Sequence, residues 1–190
     1  MKFGRIAMMV QVATLALSCS LAAVAQEHSH DQPTSNPADA NALVQAVRQA
    51  TARFQDVKVA VKEGYALQFG CVTGDSAGAM GLHYVNGDIV NQGVLDVTKP
   101  QIVIYEETSG GKLHLIGADY LVFADSWNQN NAAPPQLGGQ AFHLFTSPNQ
   151  FNLPAFYTLH VWAWKDNPNG AFVNWHPNVK CENFQGASAQ

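Results

Sequence analysis

The first strong pattern in the chain is an apolar stripe with helical spacing. Its members recur at intervals of 4, 3, 4, 3 and 4 residues and are Leu43, Val47, Ala50, Phe54, Val57 and Val61. Such spacing places the apolar side chains on one face of a helix. Pro37 suits the first helical position and Gly64 suits the end. The pattern predicts a helix from Pro37 to about Glu63, or two helices with a break near Thr51, because an unbroken one would span about 40 Å.

Strand-like composition dominates the rest of the chain. Five segments are rich in β-branched and aromatic residues: Leu82 to Asn86, Gln101 to Glu106, Lys112 to Leu115, Tyr120 to Ala124 and Ala141 to Phe145. Ser109-Gly110-Gly111 predicts a hairpin turn between the second and third. The glycine-rich stretch 69–81 predicts a loop, and the connection 127–140 is long enough to be a lid or a binding loop.

A second hairpin is predicted near the C-terminus. Tyr157 to Lys165 reads as a strand, the turn falls at 167–170, and Ala171 to Trp175 reads as the returning strand. A helix followed by consecutive hairpins is typical of an α+β fold. We therefore expect one domain, residues 37–184, in which an N-terminal helix, or two, packs on a curled antiparallel sheet or half-barrel. Residues 26–36 are expected to be a flexible lead and 185–190 a flexible tail.

The first 25 residues resemble a secretory signal. Lys2 and Arg5 precede an apolar run that is too short to span a bilayer, and Ala23-Val24-Ala25 matches an A-x-A cleavage pattern. The signal predicts a periplasmic or secreted protein. A lipoprotein anchored at Cys19 is the less favoured alternative, because the usual leucine three positions before the cysteine is missing.

Charge narrows the classes of partner. Removal of the signal takes away two of the ten basic residues and none of the 14 acidic ones, which leaves a net charge of −6 with histidine neutral. An acidic domain lacks the electrostatic footprint of a nucleic-acid-binding protein. No second apolar run is long enough for a membrane helix, so we expect no transmembrane segment after signal removal. The sequence leaves a small-molecule ligand open and does not indicate an oligomeric state.

Two cysteines, Cys71 and Cys181, remain after signal cleavage. An even pair in an exported chain favours a disulfide, here closing a loop of about 110 residues. Two free buried thiols are the alternative. A metal pair is disfavoured because neither cysteine has a C-x-x-C spacing.

Histidines and a carboxylate on strands form the candidate site. His160 lies among tryptophans, Glu106 ends an apolar strip that would bury its charge, and His83 follows the glycine-rich stretch. Together they predict a site for one transition-metal ion such as iron, zinc or copper, with His143 as a further candidate ligand. Trp162, Trp164 and Tyr84 are candidates for lining a ligand pocket.

Two other interpretations compete with the metal site. The histidines could be hydrogen-bonded core residues of a non-catalytic envelope or ligand-binding module. Gly74-Asp75-Ser76-Ala77-Gly78 spells the nucleophile elbow of a serine hydrolase, with Asp119 and His143 or His160 following in triad order. The elbow requires a strand before Ser76 and a helix after it, and the residues after Ser76 are poor helix formers.

The expected N-terminus after cleavage, Gln26-Glu27-His28, offers a separate chelate. A free amine followed by histidine in the third position can bind Cu(II) or Ni(II) through the amine, amides and imidazole. Cyclisation of Gln26 would remove this donor.

Several longer blocks resemble a family of small exported bacterial proteins to which no activity is assigned. These blocks are GAMGLHYVN, IVIYEE and LHVWAWKDNPNGAFVNWHPNVKC, and the likeness covers about Thr51 to Cys181. The resemblance implies that His83, Glu106, His160, Cys71 and Cys181 fall in family motifs, without supplying a substrate or cofactor. Similar sequences often carry a histidine just before the LHVW block, where this chain has Phe156. If that histidine is a ligand in the relatives, the site in this chain is incomplete.

Overall fold

The computed structural model describes residues 37–74 and 76–186. The predicted signal peptide, the predicted lead and residues 187–190 of the predicted tail lie outside this part of the chain. None of the helices within it is long and apolar enough to cross a membrane.

The elements follow one another along the chain as four helices and eight strands in the described residues. The helices are α1 (Pro37–Thr51), α2 (Val57–Lys62), α3 (Gly87–Gln92) and α4 (Ala124–Asn128), with a 3₁₀ turn at Ala52–Gln55. The strands are β1 (Ala66–Gly74), β2 (Gly78–Val85), β3 (Ile102–Glu107), β4 (Leu113–Phe123), β5 (Gln136–Leu137), β6 (Gln140–Ala141), β7 (His143–Phe145) and β8 (Phe156–Val161).

The N-terminal helical segment is broken after Thr51, which confirms the prediction of two helices with a break near this residue. Asp56 starts α2 because its side chain accepts a hydrogen bond from the Lys58 amide at 3.0 Å. The break rotates the buried face: Ala60 is buried, whereas Val61, a member of the predicted stripe, is 55% exposed. Gly64, at φ +93°, ends the segment in the left-handed region.

Six strands form one antiparallel sheet in the order β1-β2-β3-β4-β8-β7, and β5 and β6 form a separate two-stranded ribbon. The six-stranded sheet curls into a half-barrel with the N-terminal helices against one face. The predicted α+β class is therefore confirmed. The turn predicted at residues 109–111 also forms, because the Gly111 amide donates to the Thr108 carbonyl between β3 and β4.

The glycine-rich stretch 69–81 is not the predicted loop. It forms most of the β1–β2 hairpin, whose ladder contains register shifts between Gln68 and Cys71 and between Val72 and Thr73. Positive-φ glycines within the stretch allow these irregularities without ending the pairing. The hairpin also places Ser76 in an exposed turn before another strand, so the strand–turn–helix of a nucleophile elbow does not form at Ser76.

The predicted C-terminal hairpin does not form either. The turn itself is present, since the Gly170 amide donates to the Asn167 carbonyl at 3.0 Å. However, β8 ends at Val161 and pairs with β4 and β7, and residues 171–175 are not a strand. The connection 127–140 packs near α1, because Leu137 lies in the same apolar cluster as Leu43.

Apolar residues cover both faces of the sheet. On the helical face, Leu43, Val47 and Phe54 pack in clusters with strand residues such as Tyr120 and Leu159. On the opposite face, the strands and the residue after β8 contribute a buried apolar cluster that includes Ile102, Ile104, Ile116, Leu121, Phe156 and Trp162. That second face is closed by Phe151 and Leu153 from the β7–β8 connection and by Val179 near the C-terminus. Its strand residues are thus shielded from water.

A disulfide between Cys71 and Cys181 ties strand β1 to the C-terminal segment, as predicted. The bond spans 110 positions in the sequence. A cross-link of this length restricts the unfolded chain strongly.

Candidate metal site

Three ionisable side chains meet on the covered face of the sheet: His83 on β2, Asp119 on β4 and His160 on β8. All three are buried, and one ligand atom can be chosen from each so that the atoms lie within 4.8 Å of one another. Among the described residues, this is the one group of three or more His, Cys, Asp or Glu side chains close enough together to hold a metal ion.

The curl of the sheet brings these residues together. Asp119 and His160 are direct cross-strand partners in the β4–β8 ladder. His83 is farther away in the sheet, because β3 and β4 lie between β2 and β8. In a flat sheet three strand spacings would separate the backbones of His83 and His160 by about 14 Å. Side chains that point to the inside of a curled sheet converge, and the two imidazoles therefore meet.

The imidazole of His83 is fixed from its own strand. Its Nδ1 lies 3.1 Å from the carbonyl oxygen of Gly81. Gly81 has φ +90°, and a Cβ at this position would lie 2.6 Å from the Tyr105 carbonyl oxygen. Only glycine fits this backbone, which turns the carbonyl toward the ring. With Nδ1 engaged, Nε2 of His83 faces Nε2 of His160 at 3.4 Å.

Asp119 is held against His160. Its Oδ1 accepts a hydrogen bond from the hydroxyl of Thr158, which lies two residues before His160 on β8. Its Oδ2 is 3.6 Å from Nδ1 of His160. Nδ1 of His160 and Oδ1 of Asn174 are both buried without a hydrogen bond of normal geometry. Buried polar atoms in this state are rare and call for an explanation.

Burial dominates the protonation of the cluster. It lowers the pKa of His83 to about 4, with His160 acting in the same direction. It also lowers the pKa of His160 to about 3, helped by His143 and opposed by Asn174. The pKa of Asp119 is raised to about 6 by burial, against the hydrogen bond from Thr158. Both imidazoles are therefore neutral at pH 7 while Asp119 is largely ionised.

The tautomer of His160 decides whether the two Nε2 atoms can share a cation. Neutral His83 donates from Nδ1 to Gly81, so its Nε2 carries a lone pair. If His160 carries its proton on Nε2, its Nδ1 lone pair faces the carboxylate of Asp119. If it carries the proton on Nδ1, that proton satisfies Asp119 and the two Nε2 lone pairs face each other at 3.4 Å. The second tautomer leaves a buried contact between two acceptors, which a cation between the two Nε2 atoms would relieve.

The cluster lies at the base of a mostly apolar pocket. Its walls include four phenyl rings, of Phe69, Phe145, Phe151 and Phe156. The cavity volume is only about 20 Å³. This volume suffices for an ion with one or two small ligands and not for a sizeable organic molecule.

The structure does not place Glu106 in this cluster. Its carboxylate pairs with the ammonium of Lys165, at 2.9 Å from Oε2 to Nζ. The sequence predicts that a carboxylate at the end of an apolar strip needs a partner, and Lys165 is that partner. His143 lies on β7 opposite Thr158, but it is exposed and its Nε2 is 3.2 Å from the Phe172 carbonyl oxygen.

The three candidate pocket aromatics lie in separate places. Trp162 is buried beside the site, with its ring 6.0 Å from that of His160 and its Nε1 donating to the Val173 carbonyl. Trp164 instead donates to the Thr51 hydroxyl below α1. Tyr84 packs edge-on against Tyr105. The aromatic residues that line the pocket, apart from the two histidines, are phenylalanines.

Asp119 is the site residue that the sequence argument does not assign to a metal. The sequence predicts two short strands with a gap at residues 116–119, which includes Asp119, whereas β4 runs unbroken from Leu113 to Phe123. Within one continuous apolar strand, a carboxylate is as conspicuous as Glu106 at the end of β3. Recognition of the unbroken strand would have marked it.

Comparison of the chain with models of protein families, with curated proteins and with solved structures found no match.

Proposed function

We propose that this protein is an exported metal-binding protein that holds one divalent transition-metal ion between Nε2 of His83 and Nε2 of His160. Asp119 accepts the Nδ1 proton of His160 and contributes the negative charge nearest the ion. The remaining coordination positions face the phenylalanine-lined pocket.

The observation that supports this proposal most strongly is the arrangement of the four imidazole nitrogens. Nδ1 of His83 faces a backbone carbonyl and Nδ1 of His160 faces a carboxylate. Metal-bound histidines commonly donate their second nitrogen to such acceptors. The two nitrogens left over, both Nε2, face each other.

The separation of these nitrogens fits two ligands of one ion. Zinc–imidazole bonds of about 2.0–2.1 Å at a tetrahedral angle place the two nitrogens about 3.4 Å apart. The two Nε2 atoms are 3.4 Å apart before any adjustment of the side chains. Imidazole donors suit zinc, copper, iron and nickel, and the site favours this class over calcium or magnesium, which prefer oxygen ligands.

The competing interpretation, a binding module with purely structural histidines, predicts hydrogen-bonded imidazoles. His176 is an example of such a structural histidine in this fold. It is fully buried, its Nε2 lies 3.1 Å from the Asp166 carbonyl oxygen, and its Nδ1 accepts from the Asn178 amide. Both of its nitrogens are satisfied, whereas Nδ1 of His160 has no hydrogen bond of normal geometry and its Nε2 faces Nε2 of His83.

Export is supported by the disulfide as well as by the N-terminal sequence. Disulfides persist in oxidising compartments and are rare in the cytosol. The Cys71–Cys181 bond therefore agrees with the predicted secretory signal.

The decisive experiment is zinc binding by the chain that follows the signal, residues 26–190. Metal is stripped with a chelator, zinc is returned, and bound zinc is counted after dialysis while its affinity is measured by competition with a chromogenic chelator. Zinc avoids the copper and nickel chelate expected at Gln26-Glu27-His28. We expect one zinc per chain, and affinity lower by about 100-fold or more in His83→Gln and in His160→Gln, since each loses a direct ligand.

His114→Gln is the matched control, because His114 lies on β4 but is exposed. It should leave stoichiometry and affinity unchanged. Circular dichroism of each variant verifies the fold. Absence of zinc from the wild type, or equal zinc affinity in His160→Gln, contradicts the proposal.

A further inference from the structure

A second, mostly apolar pocket adjoins the pocket that contains the histidines. The two share four lining residues, Phe69, Ile102, Leu121 and Leu153. The second pocket lies farther along the same face of the sheet and is also lined by Gly87 and neighbouring residues of β2 and α3. The two pockets therefore adjoin, and we call them the inner chamber, beside the histidines, and the outer chamber.

The chambers differ greatly in size. The cavity volume is about 20 Å³ in the inner chamber and about 240 Å³ in the outer one. A ligand that uses both must place a small group beside the histidines and its bulk outside.

Phe69 stands at the junction of the chambers in an uncommon backbone conformation. It has φ +62°, a region that aromatic residues rarely adopt, and it is followed by Gly70 at φ +65°. The two residues form the irregularity in the β1–β2 ladder between Gln68 and Cys71. The Phe69 ring packs edge-on against Phe151 with 5.3 Å between centroids. The bulge thus aims the Phe69 ring toward the cavity, and β1 resumes its pairing with β2 at Cys71.

The chemistry of the walls selects the ligand. No lysine or arginine among the described residues lines either chamber. A metal ion at the histidines is then the positive charge that an anionic group would meet. The hydrocarbon walls of the outer chamber favour an apolar chain, and they would leave the hydroxyls of a saccharide without hydrogen-bond partners.

We infer that the protein binds a linear aliphatic carboxylate of moderate length, with its carboxylate on the metal ion at His83 and His160 and its chain in the outer chamber past Phe69. This inference rests on the proposed metal site. The carboxylate supplies oxygen ligands for the open positions of the ion, and the chain is removed from water against Leu121, Ile102 and Leu153.

Octanoate is the probe, measured by calorimetry on zinc-loaded protein from which excess zinc has been removed. We expect octanoate to bind at least tenfold more tightly than acetate, which lacks the chain, and than octanol, which lacks the charge. Removal of zinc should weaken octanoate binding at least tenfold.

Gly87→Phe tests the outer chamber. Gly87 lines this chamber and a Cβ there would meet no atom within 4 Å, so Gly87→Phe adds a phenyl group at the edge of the chamber. Gly110→Phe is the control, since Gly110 lies in the β3–β4 turn with no atom nearer than 4.0 Å to its Cβ. We expect Gly87→Phe to weaken octanoate at least tenfold with unchanged zinc content, and Gly110→Phe to change neither.

The outcomes separate the two proposals. If zinc binds but octanoate is no tighter than acetate, or is equally tight in Gly87→Phe, the carboxylate inference is overturned and the metal site stands. If zinc itself does not bind to the wild type, both are overturned.

Discussion

The Nε2 atoms of His83 and His160 lie 3.4 Å apart, although 77 positions separate the two residues in the chain and two strands separate them in the sheet. Neither a turn nor a short motif produces this contact. It depends on the curl of strands β2, β3, β4 and β8 and on apolar residues that cover the same face. The site is therefore a property of the whole half-barrel.

Asp119, and not Glu106, should control metal affinity. Asp119→Asn keeps the shape of the side chain but removes the charge that faces Nδ1 of His160. We expect zinc affinity to fall by about 10–100-fold, the usual effect of losing such a partner of a metal-bound histidine. Competition with a chromogenic chelator measures it.

Glu106→Gln is the counterpart, because it removes a carboxylate on β3 that pairs with Lys165 outside the cluster. Its zinc affinity should equal that of the wild type. A larger loss in Glu106→Gln than in Asp119→Asn would contradict the assignment of roles.

The metal-free protein should lose stability as the pH falls from about 6.5 to 4. His83 and His160 take up protons near pH 4 and pH 3 in the folded protein, whereas unfolded histidine does so near pH 6.5. The unfolded chain thus binds more protons in this window, and acid favours it. Asp119 acts oppositely between about pH 6 and 3.8, because its folded form binds the proton first. Two histidines against one carboxylate leave a net loss of stability.

Urea denaturation of metal-free protein at pH values between 7.5 and 4.5 measures this effect. His83→Gln removes one of the two histidines and should reduce the dependence of the free energy of unfolding on pH. His114→Gln, at an exposed position, should retain the wild-type dependence. An identical pH dependence in wild type and His83→Gln would refute the account.

Gly81→Ala should damage both the fold and the site. The new Cβ would lie 2.6 Å from the Tyr105 carbonyl oxygen, at a φ of +90°. We expect the free energy of unfolding to fall by roughly 2 kcal/mol or more. Zinc affinity should also fall, because the carbonyl of residue 81 orients His83. Gly110→Ala, in an open turn, should be nearly neutral in both measurements, and equal behaviour of the two variants would argue against this role.

Loss of the disulfide should destabilise the protein without abolishing the site chemistry. The double variant Cys71→Ser/Cys181→Ser is expected to lose about 2–5 kcal/mol of unfolding free energy, because the unfolded chain regains the freedom of a 110-residue loop. Chemical denaturation under oxidising and reducing conditions measures it. Reductant should destabilise the wild type and leave the double variant unaffected; sensitivity of the double variant to reductant would contradict this interpretation.

Local signals in the sequence predict the local parts of the fold. The stripe from Leu43 to Val61 predicts the helical segment, and residues 109–111 predict the β3–β4 turn. The stretch 69–81 misleads because its glycines resemble a loop, while Gly70, Gly78 and Gly81 in fact occupy positive-φ positions within or beside paired strands. The returning strand predicted at residues 171–175 fails because β8 finds partners far away in sequence, β4 and β7.

The site shows the same division between local and long-range information. His83 and His160 are candidates from strand context alone, and the structure places them in contact. Glu106 and Asp119 pose the same problem of a carboxylate among apolar neighbours, and sequence cannot say which carboxylate meets a lysine and which meets the histidines. Register and curl decide it, and both depend on long-range pairing such as that of Asp119 with His160, which are 41 positions apart.

The disulfide and the histidine pair form nested closures, since the span 83–160 lies inside the span 71–181. Once the outer closure exists, bringing the inner ends together costs less chain entropy. We therefore expect an order of maturation in which oxidation of the thiols precedes capture of the ion. A bound ion would in turn lock β2 to β8, so that metal occupancy would slow proteolysis at sites inside the inner span.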